Sequence, residues 1–531
     1  MKRNYFVCCL LALLGSLNVQ AINFVVDGIR YEAEKDTNLV SVIADTELYE
    51  GAINIPATVS YGDVDYTVTT IGEKAFFYCT GVTSVTIAEG ITKIDYAAFR
   101  NCSGMTSVTL PSTLKSLGTS AFFGCKSLTS VSIPAAVDSI KPYTFYGCEA
   151  LTTFTVPNTV NFVGGSAFAR CKNLASVVLP ESTTEIASYT FQDCLSLASV
   201  NIPAGMTSIG DGAFERCVLL SAITLPEGLK QIGSNAFDSC IGLKSLTIPA
   251  SLKNVASTSF SVCNSLETIT VAYGNPVYSA PDNCNALIET YTDEKTKKDV
   301  VKLVLGCKNS TIPASVTEIG RYAFSGLLDL KSISIPGTVT MVGDYAFADC
   351  LNLESVEIAE GVTDLGTCAF SNTGLTSVEI PGTITTISVG AFESCSELAT
   401  VTLPATLKDI NDYAFSGCDA LQSVVCLATT CPKVSSSSFD IDELSLVNLS
   451  VPESAVDSYI ADEFWGLFNV EAIGGAGVAP SWDTETAITD LKGDAKIVDV
   501  YNLAGQQNGR IQRGINVIRL SDGTTRKVMM K

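Results

Sequence analysis

Two stretches of this 531-residue sequence decide its fold: LTSVSIPAAVDSIKPYTFYGCEA at 128–150 and LKSLTIPASLKNVASTSFSVCNS at 243–265. Both follow one pattern, L-x-S-V-x-I-P-x-x-V-x-x-I-G-x-x-A-F-x-x-C-x-x. Its phenylalanine recurs at steps of 23 residues, with one gap of 64 and one step of 22, at Phe76, Phe99, Phe122, Phe145, Phe168, Phe191, Phe214, Phe237, Phe260, Phe324, Phe347, Phe370, Phe392 and Phe415, with a degraded copy at Phe439. Most of the chain therefore consists of copies of one 23-residue unit, and such a period indicates a repeat architecture.

Each repeat predicts one short strand and one return segment. The L-x-x-V-x-I part alternates and has β-type composition, and the proline after it, such as Pro134 or Pro249, ends the strand because it cannot donate to a ladder. The apolar spacing in I-G-x-x-A-F-x-x-C predicts a helical or 3₁₀ turn. A 23-residue unit cannot bury its own apolar face, so the copies must stack, with parallel strands about 4.8 Å apart. We therefore expect a repeat solenoid.

This period and motif resemble the BspA-like, or Treponema pallidum-type, leucine-rich repeats over about residues 73–426. The resemblance implies a curved right-handed superhelix of 23-residue units on a bacterial cell surface, often linked to adhesion. It does not imply an enzyme.

A cysteine follows the marker phenylalanine by three residues in twelve repeats: Cys79, Cys102, Cys125, Cys148, Cys171, Cys194, Cys217, Cys240, Cys263, Cys350, Cys395 and Cys418. Stacked neighbours hold their Cβ atoms about 4.8 Å apart, whereas a disulfide needs about 3.8 Å. Leu327 occupies this position in one repeat and Thr373 in another. The column therefore favours small buried hydrophobes over metal or redox chemistry. The better disulfide candidates lie outside it: Cys284, Cys307, Cys426 and Cys431.

Residues that flank the central valine of each strand do not pack in the core and should point into solvent on the concave side of the sheet. The position before it carries a hydroxyl in almost every repeat, and the position after it turns to glutamate late in the array. We predict a binding face for a protein or glycan there; the alternative is that Ser and Thr simply suit an exposed β surface. The candidate residues are Ser84, Ser107, Ser130, Ser132, Ser176, Ser199, Ser245, Ser332, Ser355, Glu357, Ser377, Glu379 and Thr400.

Both ends of the array carry cap signals. Residues 22–72 contain FVVDGIRYEAE, where Asp27-Gly28 predicts a hairpin turn, and INIP, which imitates the repeat. This segment is expected to form a β cap over the first open edge of a solenoid spanning 73–473. At about 427–473, Trp465 with its aromatic neighbours predicts an aromatic plug that closes the last repeat; the alternative is an exposed binding aromatic.

The gap in the phenylalanine series predicts an insertion at about 272–310. Two apolar runs, NALIETY and KLVLGC, are joined by a charged segment, DEKTKKD. This pattern predicts a β-hairpin that projects from the solenoid. Its charged tip is either a solvated loop or a recognition finger.

The C-terminal segment begins with GGAGVAPSWDTET, which predicts a flexible linker over 474–487. Residues 488–531 then predict a small all-β segment. Its VYNLAGQ, RGINVI and terminal KVMMK are similar to the C-terminal sorting domains of the type IX secretion system in Bacteroidetes. That resemblance implies outer-membrane export and surface attachment; the alternative is a small β cap with no sorting role.

The N-terminus predicts a signal peptide over residues 1–21. Lys2 and Arg3 precede an apolar run, and Val19 and Ala21 suit a small-residue cleavage site. The alternative is a buried N-terminal strand. The run is too short for a spanning helix, and we expect no transmembrane segment in the mature chain. We therefore expect an exported protein, extracellular or on the outer-membrane surface.

Composition narrows the function classes. The net charge of −22 disfavours nucleic acid as a partner. With no histidine in the chain, His-dependent catalysis and His-based zinc sites are excluded. No phosphate-binding loop, dinucleotide fingerprint or nucleophile elbow is present. We expect a monomer without cofactor or catalytic site that binds a protein on a host or neighbouring cell surface, as an adhesin or scaffold. The alternatives are glycan capture and, third, a hydrolase.

Overall fold

A computed structural model describes residues 22–473, 497–501, 507–508, 514–520 and 525–530. The predicted signal peptide and the predicted linker lie outside the described residues. The chain divides into two compact units between Val470 and Glu471, and each is considered by itself below.

The N-terminal cap is an all-β segment in front of the repeats. Its strands Asn23–Val26 and Ile29–Ala33 form the hairpin predicted at Asp27-Gly28. The INIP segment pairs in parallel with the first full repeat, so that Ile53 lies beside Val85. The open edge of the array is therefore covered by backbone partners. The six strands are Asn23–Val26, Ile29–Ala33, Leu39–Val42, Gly51–Ile55, Thr58–Tyr61 and Val64–Ile71.

One side of the array is a row of parallel strands formed by L-x-x-V-x-I, here called the long-strand ladder. Neighbouring copies pair in register, for example Val85 with Val108, and the central valines point into the core. Its strands are Val82–Ile87, Ser107–Thr109, Thr153–Thr155, Ser176–Val178, Ser199–Val200, Ser245–Ile248, Thr268–Val271, Ser332–Ile335, Ser355–Ile358, Ser377–Glu379, Thr400–Leu403 and Ser423–Cys426, with an isolated bridge from Ser107 to Ser130.

A second row of two-residue strands, the short-strand ladder, forms just before each return segment. Each short strand ends in the Ile, Val or Leu of the repeat, which is buried in most copies, and Ile94, for example, pairs with Leu117. Its strands are Lys93–Ile94, Ser116–Leu117, Ser139–Ile140, Phe162–Val163, Glu185–Ile186, Ser208–Ile209, Gln231–Ile232, Asn254–Val255, Glu318–Ile319, Met341–Val342, Asp364–Leu365, Thr386–Ile387, Asp409–Ile410 and Lys433–Val434.

The return segments are chains of turns, so the predicted helical or 3₁₀ conformation is wrong. Ala97 and Asn101 flank Phe99 with φ of +53° and +62°, a left-handed conformation that no α-helix contains. Backbone N–H groups instead reach the next repeat, as where Phe99 donates to the Ala121 carbonyl at 2.8 Å. Within each half of the array the marker rings stack on one another with centroids 4.9–5.7 Å apart.

The predicted insertion is a β-hairpin. Leu287–Thr292 pairs antiparallel with Asp299–Leu305, and the second strand then pairs in parallel with Glu318–Ile319. The hairpin thus starts the second part of the short-strand ladder. The insertion also contains the strand Tyr278–Ser279 and the 3₁₀ turn Pro281–Asn283.

The hairpin separates two hydrophobic cores and contributes to both. Leu287 and Leu305 pack into the N-terminal core, whereas Ile288 and Leu303 pack into the C-terminal core. On the return side, by contrast, the array continues directly, since the Val262 amide donates to the Ser325 carbonyl at 3.3 Å. The insertion therefore lies between the two cores on the strand side of the solenoid, and each of its two faces packs against one core.

The C-terminal cap closes the last repeat with aromatic side chains. Trp465 is fully buried and donates from Nε1 to the Pro432 carbonyl at 2.9 Å, packing against Phe439 and Tyr459. The predicted plug is thereby confirmed, and Trp465 is not an exposed binding residue. The cap comprises the 3₁₀ turns Ile441–Leu446, Glu453–Ala455 and Trp465–Leu467, the helix Val456–Ala461, and the strands Asn448–Val451 and Asn469–Ala472.

The C-terminal unit is an antiparallel sheet, as its alternating sequence predicts. The strand Ile497–Tyr501 pairs with Gln507–Asn508 and with Gly514–Leu520, and Gly514–Leu520 pairs with Thr525–Met530. Among the residues that the structure describes, none forms a helix that could cross a membrane.

Candidate functional site

The predicted binding residues stand on the solvent side of the long-strand ladder, a surface here called the hydroxyl face. Side chains alternate along each strand, so that Ser107 and Thr109 are exposed on either side of the buried Val108. All the predicted residues are exposed except Ser84 and Ser176, which are half-buried. None of them is needed to fill the core.

Strand register brings these residues together in columns. Aligned Cα partners of parallel strands lie about 4.8 Å apart, so each column is a continuous row of short polar side chains. The columns run from Ser84 through Ser107 to Ser130, from Thr153 through Ser176 to Ser199, from Ser245 to Thr268, from Ser332 to Ser355, and from Ser377 through Thr400 to Ser423.

The structure does not join every column to the next. Ser199 and Ser245 are two repeats apart, and the segment between them, around Ala222, forms no strand. The strands on either side of the insertion, Thr268–Val271 and Ser332–Ile335, belong to different sheets. The hydroxyl face is thus a series of short polar rows.

The charge on this face changes along the array. From Ser84 to Ser355 the positions flanking the central residue carry mostly hydroxyls and no charge, whereas Glu357 and Glu379 add exposed carboxylates in successive repeats. Ser334 donates to Glu357 at 2.9 Å, which fixes that carboxylate on the face. The N-terminal part is therefore neutral, and the C-terminal part is an acceptor surface.

Asn201 is a residue of this face that sequence reasoning did not single out. Its Oδ1 accepts from the Leu179 amide at 2.7 Å, and its Nδ2 donates to the Leu179 carbonyl at 2.8 Å. The side-chain amide thereby substitutes for backbone pairing beyond Val200. The signal was available, because asparagine stands where the other repeats carry a hydroxyl, a valine or a glutamate.

The cysteine column is structural, as predicted, but it is more than apolar filler. From Cys102 onward, each thiol of the column donates to the carbonyl of the marker phenylalanine in the preceding repeat, as Cys125 does to Phe99 at 3.1 Å. Burial raises the pKa of Cys171 and of Cys350 to about 12, so these thiols stay protonated and unreactive. Leu327 is buried at the same position. No group of metal-ligating side chains lies close enough together to hold an ion in the part of the chain that the structure describes.

The four disulfide candidates outside the column are all free thiols. Cys307 donates to the Asn285 carbonyl at 3.3 Å, and Cys284 to the Ala286 carbonyl at 3.6 Å. The Cys426 thiol hydrogen bonds to the Tyr459 hydroxyl at 3.2 Å, while Cys431 is half-buried nearby. Like the thiols of the column, those of Cys284, Cys307 and Cys426 hydrogen bond to oxygen atoms.

With the fold and the polar face described, the repeats can be compared with known families. A model of the BspA type leucine rich repeat region matches residues 69–198, 184–285, 304–422 and 363–462. These matches cover most of the chain. The chain belongs to the BspA-type leucine-rich repeat family.

Solved structures of other bacterial leucine-rich repeat proteins are similar to this BspA-type chain. A leucine-rich repeat protein from Bacteroides ovatus is 27% identical, with 76% of this chain and 94% of that one covered and a TM-score of 0.53. A leucine rich cell surface protein from Faecalibacterium prausnitzii is 25% identical over 86% and 96%, with a TM-score of 0.41. A leucine-rich repeat protein of T. pallidum is 23% identical over 40% and 87%, with a TM-score of 0.33. No curated protein matches the sequence.

Proposed function

We propose that this protein is an exported binding scaffold whose hydroxyl face holds a protein on a host or neighbouring cell surface, in the manner of an adhesin. The observation that carries the proposal is the set of in-register polar columns, which repeat along the array and have no role in the core. Membership of a repeat family built for extended binding surfaces supports a scaffold without catalytic activity.

The physical basis is preorganisation. Hydroxyl side chains both donate and accept hydrogen bonds, and those of Ser and Thr are short, so little conformational entropy is lost when they are bound. Backbone pairing fixes the spacing of successive rows, as between Ser332 and Ser355. A flat partner surface with matching polar groups would then meet an array that needs no rearrangement.

The C-terminal unit supports a second part of the proposal, that residues 488–531 attach the chain to the cell surface. Its antiparallel strands form a small sheet of their own. Protease treatment of intact cells tests this: the full chain should be cleaved at the surface, whereas a chain ending at residue 473 should be lost to the medium. Equal retention of both chains at the cell surface would contradict attachment by this segment.

Binding by the hydroxyl face is tested with the purified chain on immobilised extracellular matrix proteins and whole cells. The variant Ser107→Arg/Ser130→Arg places bulky charges on adjacent rows and should reduce binding at least tenfold. The matched control is Ser257→Arg/Ser315→Arg, which changes two exposed serines outside this face. Absence of saturable binding across the panel, or equal loss in both variants, would refute the proposal.

A further inference from the structure

The short-strand ladder carries a groove of about 530 Å³ where it meets the insertion. Successive turns contribute Glu185, Ser208, Gln231 and Asn254, which pair in register along the floor. The insertion supplies the end wall through Tyr278 and Glu289. This groove lies on a different row of strands from the hydroxyl face.

The end wall is held firmly in place. The Tyr278 hydroxyl accepts from the Val255 amide at 2.9 Å, the N–H that a further short strand would otherwise bind. Asn275 accepts from the Tyr278 amide at 2.8 Å and donates to the Pro249 and Leu252 carbonyls at 2.9 and 3.0 Å. The insertion is thereby locked onto the last turn of the N-terminal array, and the groove has a closed end.

Polar side chains on the floor are free to bind a ligand. Glu185, Gln231 and Asn254 are exposed, and their side chains make no hydrogen bond to any residue that the structure describes. Register spaces the successive rows about 4.8 Å apart. Carboxylate, hydroxyl and amide groups, with both donors and acceptors, therefore alternate along one line.

We propose that this groove binds a neutral oligosaccharide. Its lining residues include three carboxylates, Glu185, Asp211 and Glu289, and no Lys or Arg, so an anionic ligand would be repelled. A hydroxyl-rich neutral chain matches the mixture of donors and acceptors. Phe162, 46% exposed at the same repeat position one turn before Glu185, offers an aromatic surface for a sugar ring beyond the open end.

An extended peptide fits this groove less well. Peptides that bind to β-sheets use main-chain hydrogen bonds along an exposed edge. Here the backbone of the four short strands that carry Glu185, Ser208, Gln231 and Asn254 is already paired within the ladder. The Tyr278 hydroxyl accepts the hydrogen bond from the Val255 amide. Recognition is left to side chains, which favours a ligand that presents hydroxyls. The volume is within the range of small-ligand sites.

The test is calorimetric titration of the full chain with hexasaccharides of glucose, mannose, xylose and N-acetylglucosamine, together with hexagalacturonate and a lysine-rich peptide. At least one neutral hexasaccharide should bind, and Gln231→Leu/Asn254→Leu should weaken it at least tenfold. The control Ser116→Leu/Asp364→Leu changes exposed residues at the same repeat position outside the groove and should bind as the parent chain does.

Folding of each variant is checked by circular dichroism and melting temperature. If the double leucine variant does not fold, the single change Gln231→Ala gives the same test with less apolar surface added. The proposal is overturned if no neutral hexasaccharide binds, if hexagalacturonate or the peptide is preferred, or if the groove variant binds as tightly as the control. Ser107→Arg/Ser130→Arg should leave sugar binding unchanged, so failure of this site and failure of the hydroxyl face are distinguishable.

Discussion

The variant Tyr278→Phe tests whether the insertion seals the end of the N-terminal array. Phenylalanine keeps the ring in its buried position but removes the hydroxyl that accepts from the Val255 amide at 2.9 Å. Burial raises the pKa of Tyr278 to about 12, so the hydroxyl is neutral at all ordinary pH values. The substitution therefore deletes one hydrogen bond and changes no charge.

The expected magnitude follows from the burial of the orphaned donor. Leaving a buried N–H without a partner costs about 1–3 kcal/mol. Val255 is only half-buried, so water can replace part of the bond, and we expect about 1 kcal/mol. That free energy corresponds to opening of this turn roughly fivefold more often.

Hydrogen exchange read by mass spectrometry measures this opening at the peptide that contains Val255. The control is Tyr291→Phe, which removes a hydroxyl from an exposed tyrosine of the same insertion. Amides of the distant strand Ser116–Leu117 serve as an internal reference. Exchange at Val255 that is equal in the two variants, or that rises together with the reference amides, would show that the hydroxyl does not seal the ladder.

The other predictions concern the reactivity of the thiols and the titration of a half-buried carboxyl. In the native chain, iodoacetamide should modify the half-buried Cys368 and Cys431 before the fully buried column; modification of column members such as Cys125 at equal rates would contradict the packed arrangement. Burial raises the pKa of Asp238, so the folded state holds its proton more tightly than the unfolded state, and this carboxyl lowers stability as pH rises through the folded pKa. Asp238→Asn should therefore raise the urea midpoint at pH 7, with the gain vanishing below about pH 3.9, the pKa of an unperturbed Asp. The exposed Asp419→Asn is the control; no gain at pH 7, or an equal gain at low pH, would count against the argument.

Periodicity explains why so much of the fold could be predicted from sequence. A repeat of 23 residues fixes which side chains share a column, so the strands, the buried phenylalanines and the position of the hydroxyl face follow once the unit is aligned. The insertion and both caps stand out because they break that period. Each of these features is encoded either by a short local sequence or by a pattern that recurs in many repeats.

Features that depend on contacts between repeats were predicted poorly. The spacing around Phe99 suits a helix, but its amide bonds to Ala121 in the next repeat, and the sequence of one repeat cannot show this competition. Cys284 and Cys307 stood out as disulfide candidates because they lie outside the column, although each thiol donates to a backbone carbonyl. The oligosaccharide groove combines four turns with the insertion and has no motif of its own.

The two-sided hairpin bears on how the chain folds during synthesis. While the N-terminal array is being synthesised, the apolar side chains of its last turn have no neighbouring repeat to pack against. The hairpin, which follows in the chain, covers them with Leu287 and Leu305. The hairpin then covers the short-strand side of that turn, while the Val262 amide on the return side is left for the Ser325 carbonyl of the next repeat. The opposite side of the hairpin, with Ile288 and Leu303, then offers a preformed apolar wall on which the second array can nucleate. We therefore expect the second array to fold after the hairpin has packed onto the first.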